Sequence, residues 1–122
     1  MALNYTFENT EDYFKVTLSG VMDNFDEAIT FSQASADATR ASNKMLVLSD
    51  ERGLTHRLSI KEMLRISNFI VMNIPFVRKF AIVGTPHPVL HVEYLKSFSA
   101  VENFTMDVFI DIQEAEDWLK EI

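Results

Sequence analysis

Asp107-Val108-Phe109-Ile110-Asp111-Ile112-Gln113-Glu114-Ala115-Glu116-Asp117-Trp118-Leu119 packs a strand, a cap and a helix into one short run. Met106 to Ile110 reads as a strand. Asp111, with Glu114 three residues on, has the spacing of a capping box, in which a side-chain acceptor meets a first-turn N–H and a carboxylate reaches back. Ile112, Ala115, Trp118, Leu119 and Ile122 then fall on one face of a helix. A strand that runs directly into a one-faced helix is the closing part of an α/β layer, with the helix laid back on its sheet.

Upstream, Phe80 to Val83 and Met45 to Leu48 are short and uniformly apolar, as strands are when both of their faces are covered. Between them Ser59 to Ile74 forms a long helix, with Ile60, Met63, Leu64, Ser67, Ile70, Val71 and Ile74 on one side and Pro75 as its stop. A further helix is expected from Pro88 to about Phe98, because proline is favoured at the first helical position. Asn4 to Glu8 and Phe14 to Ser19 alternate polar and apolar residues around a turn cluster at Asn9 to Asp12 and read as a hairpin with one buried face. After Gly20, Asn24 and Glu27 have capping-box spacing at the start of a helix to about Arg40. That helix is rich in small residues, with Phe25 and Ile29 as its expected anchors. The order is β-β-α-β-α-β-α-β-α: an α/β domain with a mixed sheet of about five strands and about four helices. Its opening hairpin is antiparallel, and the strands separated by helices pair in parallel.

Composition narrows the function. No linker or repeat divides the 122 residues, so residues 1–122 read as one domain, long enough to bury roughly two-thirds of its unfolded surface. The chain has no cysteine, which excludes thiolate chemistry and cysteine-ligated zinc. A formal net charge of −7 opposes binding to phosphate backbones, so no nucleic-acid partner is expected. The longest apolar run, Phe69 to Val77, is broken by Asn73 and Pro75 and is too short to span a bilayer. No secretory signal is visible at the N-terminus. The expected setting is therefore cytoplasmic, without integral membrane association.

In order and length the chain resembles the STAS family, whose founding members are anti-sigma-factor antagonists. Asp107 to Leu119 looks like the ending of SpoIIAA-like proteins, and Lys79 to Gly84 resembles the strand before the third helix there. The resemblance implies a non-enzymatic regulatory domain that binds a protein partner or a second copy of itself, as a homodimer. Phosphorylated members carry an Asp-Ser-Ser-Gly-Leu-like motif after the third strand. The matching place here is Asp50-Glu51-Arg52-Gly53-Leu54, with Arg52 at the position of the modified serine, so the usual phospho-switch is not expected. SpoIIAA-like domains are also similar in structure to Sec14-type lipid-binding domains, which implies an alternative role in binding a small apolar or lipid-like ligand.

Two candidate sites follow. Asp50, Glu51, Arg52, Gly53 and Leu54 are read as a loop at the carboxyl end of a central strand, where open α/β sheets place ligands and partners. They form either a charged docking surface together with Arg57 or a solvated turn. Ile66, Phe69 and Met72, followed by Phe76, lie at helical spacing on a second side of the long helix. They read either as a broad core stripe or as an apolar interface or ligand site. His87 and His91, with Glu93 nearby, are read as capping and surface residues, because His87 precedes Pro88 and no third ligand follows by spacing. Three glycines and three histidines supply no phosphate loop or nucleophile elbow. No catalytic residues, metal or cofactor are expected.

Overall fold

The computed structural model describes residues 2–84 and 104–121. Its five strands are β1 (Leu3–Asn9), β2 (Phe14–Met22), β3 (Leu46–His56), β4 (Lys79–Val83) and β5 (Thr105–Phe109). They form one sheet whose spatial order is the chain order. β1 and β2 pair antiparallel, while β2–β3, β3–β4 and β4–β5 are parallel. Because β2, β3 and β4 are successive parallel neighbours, right-handed crossovers send the helices between them to the same face. α1 (Phe25–Ser42) and α2 (Ile60–Asn73) lie there, in contact with each other. α3 (Ile112–Lys120) covers the opposite face over β3, β4 and β5. The expected helix Pro88–Phe98, with His87, His91 and Glu93, lies outside the described residues.

The apolar runs of β3 and β4 are explained by this layering. Val47, Phe80 and Ile82 face α1 and α2 together with Val16, Leu18 and Met106, while Leu48, Ala81 and Val83 face α3. Ala115 and Leu119 anchor α3, and Trp118 packs on Phe109 with ring centroids 5.5 Å apart. The Lys79 ammonium closes the end of α3. It donates to the Trp118 and Glu121 carbonyls at 2.7 and 2.8 Å, and it sits 5.1 Å from the Trp118 ring centroid. A cation at a helix C-terminus satisfies orphan carbonyls and complements the macrodipole. At the other end of this layer the Tyr13 hydroxyl donates to Glu116 Oε2 at 2.6 Å, and burial, reinforced by that carboxylate, pushes its pKa well above the usual phenol range.

The caps differ in detail from the sequence reading. The reciprocal box forms at Ser59 and Glu62, where the Glu62 N–H donates to Ser59 Oγ at 3.2 Å and the Ser59 N–H donates to Glu62 Oε1 at 3.0 Å. Asn24 accepts from the Glu27 N–H at 2.9 Å, and Asp111 accepts from the Gln113 N–H at 3.3 Å, each as a one-way cap. α1 also uses its residues differently. Phe31 is its deeply buried aromatic residue, alongside Ala28, Ser32, Ala36 and Thr39. Phe25 and Ile29 are half-buried at the margin, with the Arg65 guanidinium 4.9 Å from the Phe25 ring centroid. The inward stripe of α1 is therefore mostly small.

Gly20 sits in β2 at φ +91°, and a Cβ there would collide with the Ala2 carbonyl. Gly20→Ala should destabilise the fold by more than about 1 kcal/mol in urea unfolding, because alanine resists positive φ. A wild-type midpoint would contradict this account of the hairpin.

Candidate functional site

β3 does not end at Leu48. β2 runs on to Met22, so the following residues of β3 find ladder partners: Ser19 pairs with Gly53, Gly20 with Leu54, Val21 with Thr55 and Met22 with His56. The Arg57 N–H extends the ladder to the Met22 carbonyl at 2.9 Å. Residues 50–54, expected as a loop, are thus strand. The reason is the length of β2, which continues beyond the Ser19 end expected from alternation.

The ladder carries one irregularity. Thr17 pairs with Asp50 and Ser19 with Gly53, so two steps along β2 correspond to three along β3. The extra residue is a β-bulge, and it reverses the side-chain alternation of everything after it. Before the bulge, Val47, Ser49 and Glu51 point toward α1 and α2. After it, Leu54 and His56 point the same way. Glu51 and His56 are five apart, a separation that would set them on opposite faces of an unbroken strand. Here His56 Nε2 lies 3.2 Å from Glu51 Oε1, and the Ser49 hydroxyl donates to Glu51 Oε2 at 2.9 Å. The side chains of Glu51 and His56 are only 12% and 16% exposed.

The same alternation splits the expected docking surface. Asp50 is 7% exposed and lies on the other face, where Arg52 grips it through Nη2 to Oδ2 at 2.7 Å and Nε to Oδ1 at 2.9 Å. The Arg52 backbone N–H adds a bond to Oδ1 at 3.2 Å. Hydrogen bonding from the Arg52 guanidinium holds the Asp50 carboxyl below the usual carboxylate range. Gly53 is exposed and Leu54 is buried in the core. Arg52 thus neutralises a buried carboxylate at the position where the STAS resemblance puts a regulatory hydroxyl.

Glu51, His56 and Ser49 form one end of a cavity of about 100 Å³ between the α1–α2 pair and strands β2 to β5. Its walls are apolar side chains such as Val16, Leu18, Phe31, Ile70 and Ile82. Ser32, Ser35 and Ala36 on α1 and Ser67 on α2 leave the space open by being small. The buried hydroxyls on these walls are satisfied within their own helices: Ser32 donates to the Ala28 carbonyl at 2.8 Å, Thr39 to Ser35 at 2.7 Å and Ser67 to Met63 at 2.9 Å. Of the apolar strip expected along α2 and just past its end, Ile66 is buried and lines the cavity. Phe69 is half-buried, and Met72 is 71% exposed. Phe76, half-buried, packs on the core with the Arg40 guanidinium 6.0 Å from its ring centroid.

At the polar end the Ser49 hydroxyl donates to one oxygen of the Glu51 carboxylate, and the His56 imidazole meets the other. Among the described residues, no group of three or more His, Cys, Asp or Glu side chains could hold a metal ion, and no helix is long and apolar enough to cross a membrane. His56 carries no local signal in the sequence, since only the bulge brings it to the face that Ser49 and Glu51 already share.

Because Asp50 titrates below its ordinary value in the folded chain, its ion pair contributes stability at neutral pH. That contribution is lost as pH falls through the depressed value. Arg52→Met should raise the Asp50 midpoint, read from its ¹³C carboxyl shift, and reduce the stability difference between neutral and acid pH. An unchanged midpoint would show that the guanidinium does not set the state of Asp50.

No family model matches the chain, and no curated protein matches it by sequence. Solved structures do match. An anti-sigma factor antagonist from Mycobacterium paratuberculosis superposes with a TM-score of 0.70 at 15% identity, over 98% of this chain and 96% of that one. An uncharacterized protein of the DUF3478 family with a SpoIIAA-like fold, from Shewanella loihica PV-4, gives 0.63 at 17% identity, over 96% and 93%. The anti-sigma factor antagonist SpoIIAA in its unphosphorylated form gives 0.63 at 12% identity, over 98% and 100%. With a sequential mixed sheet, a helical pair on one face and a strand-to-helix ending on the other, the chain has the SpoIIAA-like, STAS-type fold.

Proposed function

We propose that this chain is a non-enzymatic binding domain of regulatory type that holds a small, mainly apolar molecule between its helical pair and its sheet. The cavity carries this reading. Its volume of about 100 Å³ is several times the ~10–15 Å³ needed to admit one water. Water filling such a space would meet mostly apolar wall, because the buried hydroxyls of Ser32, Thr39 and Ser67 already donate to backbone. An empty space of this size forfeits the dispersion contacts of its lining. A guest with an apolar body restores them.

A second reading has its own support. Met72 and Ile60 stand exposed on α2, and two of the similar structures are described as anti-sigma factor antagonists. On that reading α2 docks a protein partner or a second copy of the chain.

Mass spectrometry under native and denaturing conditions separates the two. A native mass above the chain mass, lost on denaturation, is the expected result. Ala36→Leu, which extends an apolar side chain into the cavity from α1, should abolish the excess while the melting temperature holds. If the native mass is twice the chain mass with no excess, and Met72→Asp returns it to the monomer, the cavity reading gives way to the interface.

A further inference from the structure

The cavity has one polar end, and its chemistry is one-sided. Resting on the cavity reading above, we infer that the guest is an amphiphile whose head group donates hydrogen bonds, an alkylammonium or an alkyl alcohol, and that carboxylate heads are refused. The apolar body lies between Ile66 and Ile70 of α2 and the floor of β2 to β5, and the head meets Glu51.

Three observations lead to this assignment. First, Glu51 sits at the centre of the polar end, 12% exposed, with one bond to each oxygen: from Ser49 to Oε2, and between Oε1 and His56 Nε2. An ionised carboxylate offers about four lone-pair sites, so each oxygen can accept once more. Second, the protons of the buried hydroxyls on the described walls are already committed. Ser49 donates to Glu51, and Ser32, Thr39 and Ser67 donate to carbonyls of their own helices. No lysine or arginine occurs among the described lining residues. The described lining therefore presents mainly acceptors, and a fatty-acid head would meet the oxygens of another carboxylate, Glu51, in a poorly hydrated space where acceptor faces acceptor. Third, the bulge in β3 is what turns His56 onto the face of Glu51. His56 then braces the carboxylate from one side as Ser49 does from the other, which fixes the acceptor in the cavity rather than leaving it to swing toward solvent.

The test uses three probes with one alkyl body, decylammonium, decanol and decanoate, each below its micellar concentration and at physiological salt. Calorimetric titration of the wild-type chain should rank decylammonium first and decanol second, with decanoate weaker than decylammonium by at least about tenfold, as expected for a charge-assisted bond set against a repulsion. Glu51→Gln keeps the shape, removes the charge and adds an N–H donor. It should weaken decylammonium by about tenfold, leave decanol within about threefold and strengthen decanoate. Ala36→Leu should reduce all three, which ties the binding to the cavity rather than to the acidic surface. Equal wild-type affinity for the three heads overturns the head-group assignment while leaving the apolar cavity in place. Failure of all three to bind overturns both. The wild-type ranking decides the matter even where Glu51→Gln fails to fold.

Discussion

The extra residue that β3 inserts opposite β2, between the Thr17–Asp50 and Ser19–Gly53 pairs, is the constraint on which the site depends. Without it β3 would still be a central strand with Val47 on one face and Leu48 on the other. Its continuation, however, would send Leu54 and His56 to the α3 side, away from Glu51. Bulges in parallel ladders are uncommon, and they re-aim side chains. Here the outcome is a carboxylate, an imidazole and a hydroxyl gathered at the carboxyl end of a central strand, where open α/β sheets place their ligands.

Burying Glu51 in apolar surroundings is unfavourable unless its oxygens are bonded. Ser49 and His56 meet that need from the same strand, so the site requires no other element to hold its carboxylate. The helices contribute space instead. Ser32, Ser35 and Ala36 on α1 and Ser67 on α2 are too short to reach across to the sheet, so the two layers enclose a cavity instead of closing on each other. Asp50 and Arg52 on the opposite face form a separate, self-contained pair. One run of charged residues thus serves two unrelated environments, because a strand divides its neighbours between two faces.

Much of the architecture was legible in the residues. The apolar runs at Leu48 and Ala81, the stripe of α2 and the Trp118–Leu119 ending indicate the α/β class and the order of elements, because burial on two faces and burial on one leave different periodicities. The site was legible only in part. The residues single out Glu51, but in a loop, and Ile66, with core stripe and ligand or interface site both open. Gly20 looked like the end of a strand, whereas it is an interior residue of β2 at positive φ. That misreading shortened β2 and so removed the partner that makes residues 50–56 a strand. With β3 ending at Leu48, no spacing rule brings His56 to Glu51, since a register shift is a property of two strands and is written in neither alone. The small inward residues of α1 were noticed, but their consequence, an unfilled space, depends on how far the sheet lies beneath them.

Methyl-resolved NMR of the isoleucines during a decanol titration tests the central claim most directly, because these residues are spread over both faces of the sheet. The account predicts shifts at Ile66, Ile70, Ile74 and Ile82, which line the cavity, with Ile112 under α3 and the exposed Ile60 unmoved. Shifts confined to Ile60 or Ile112, or none at the four cavity positions, would contradict it.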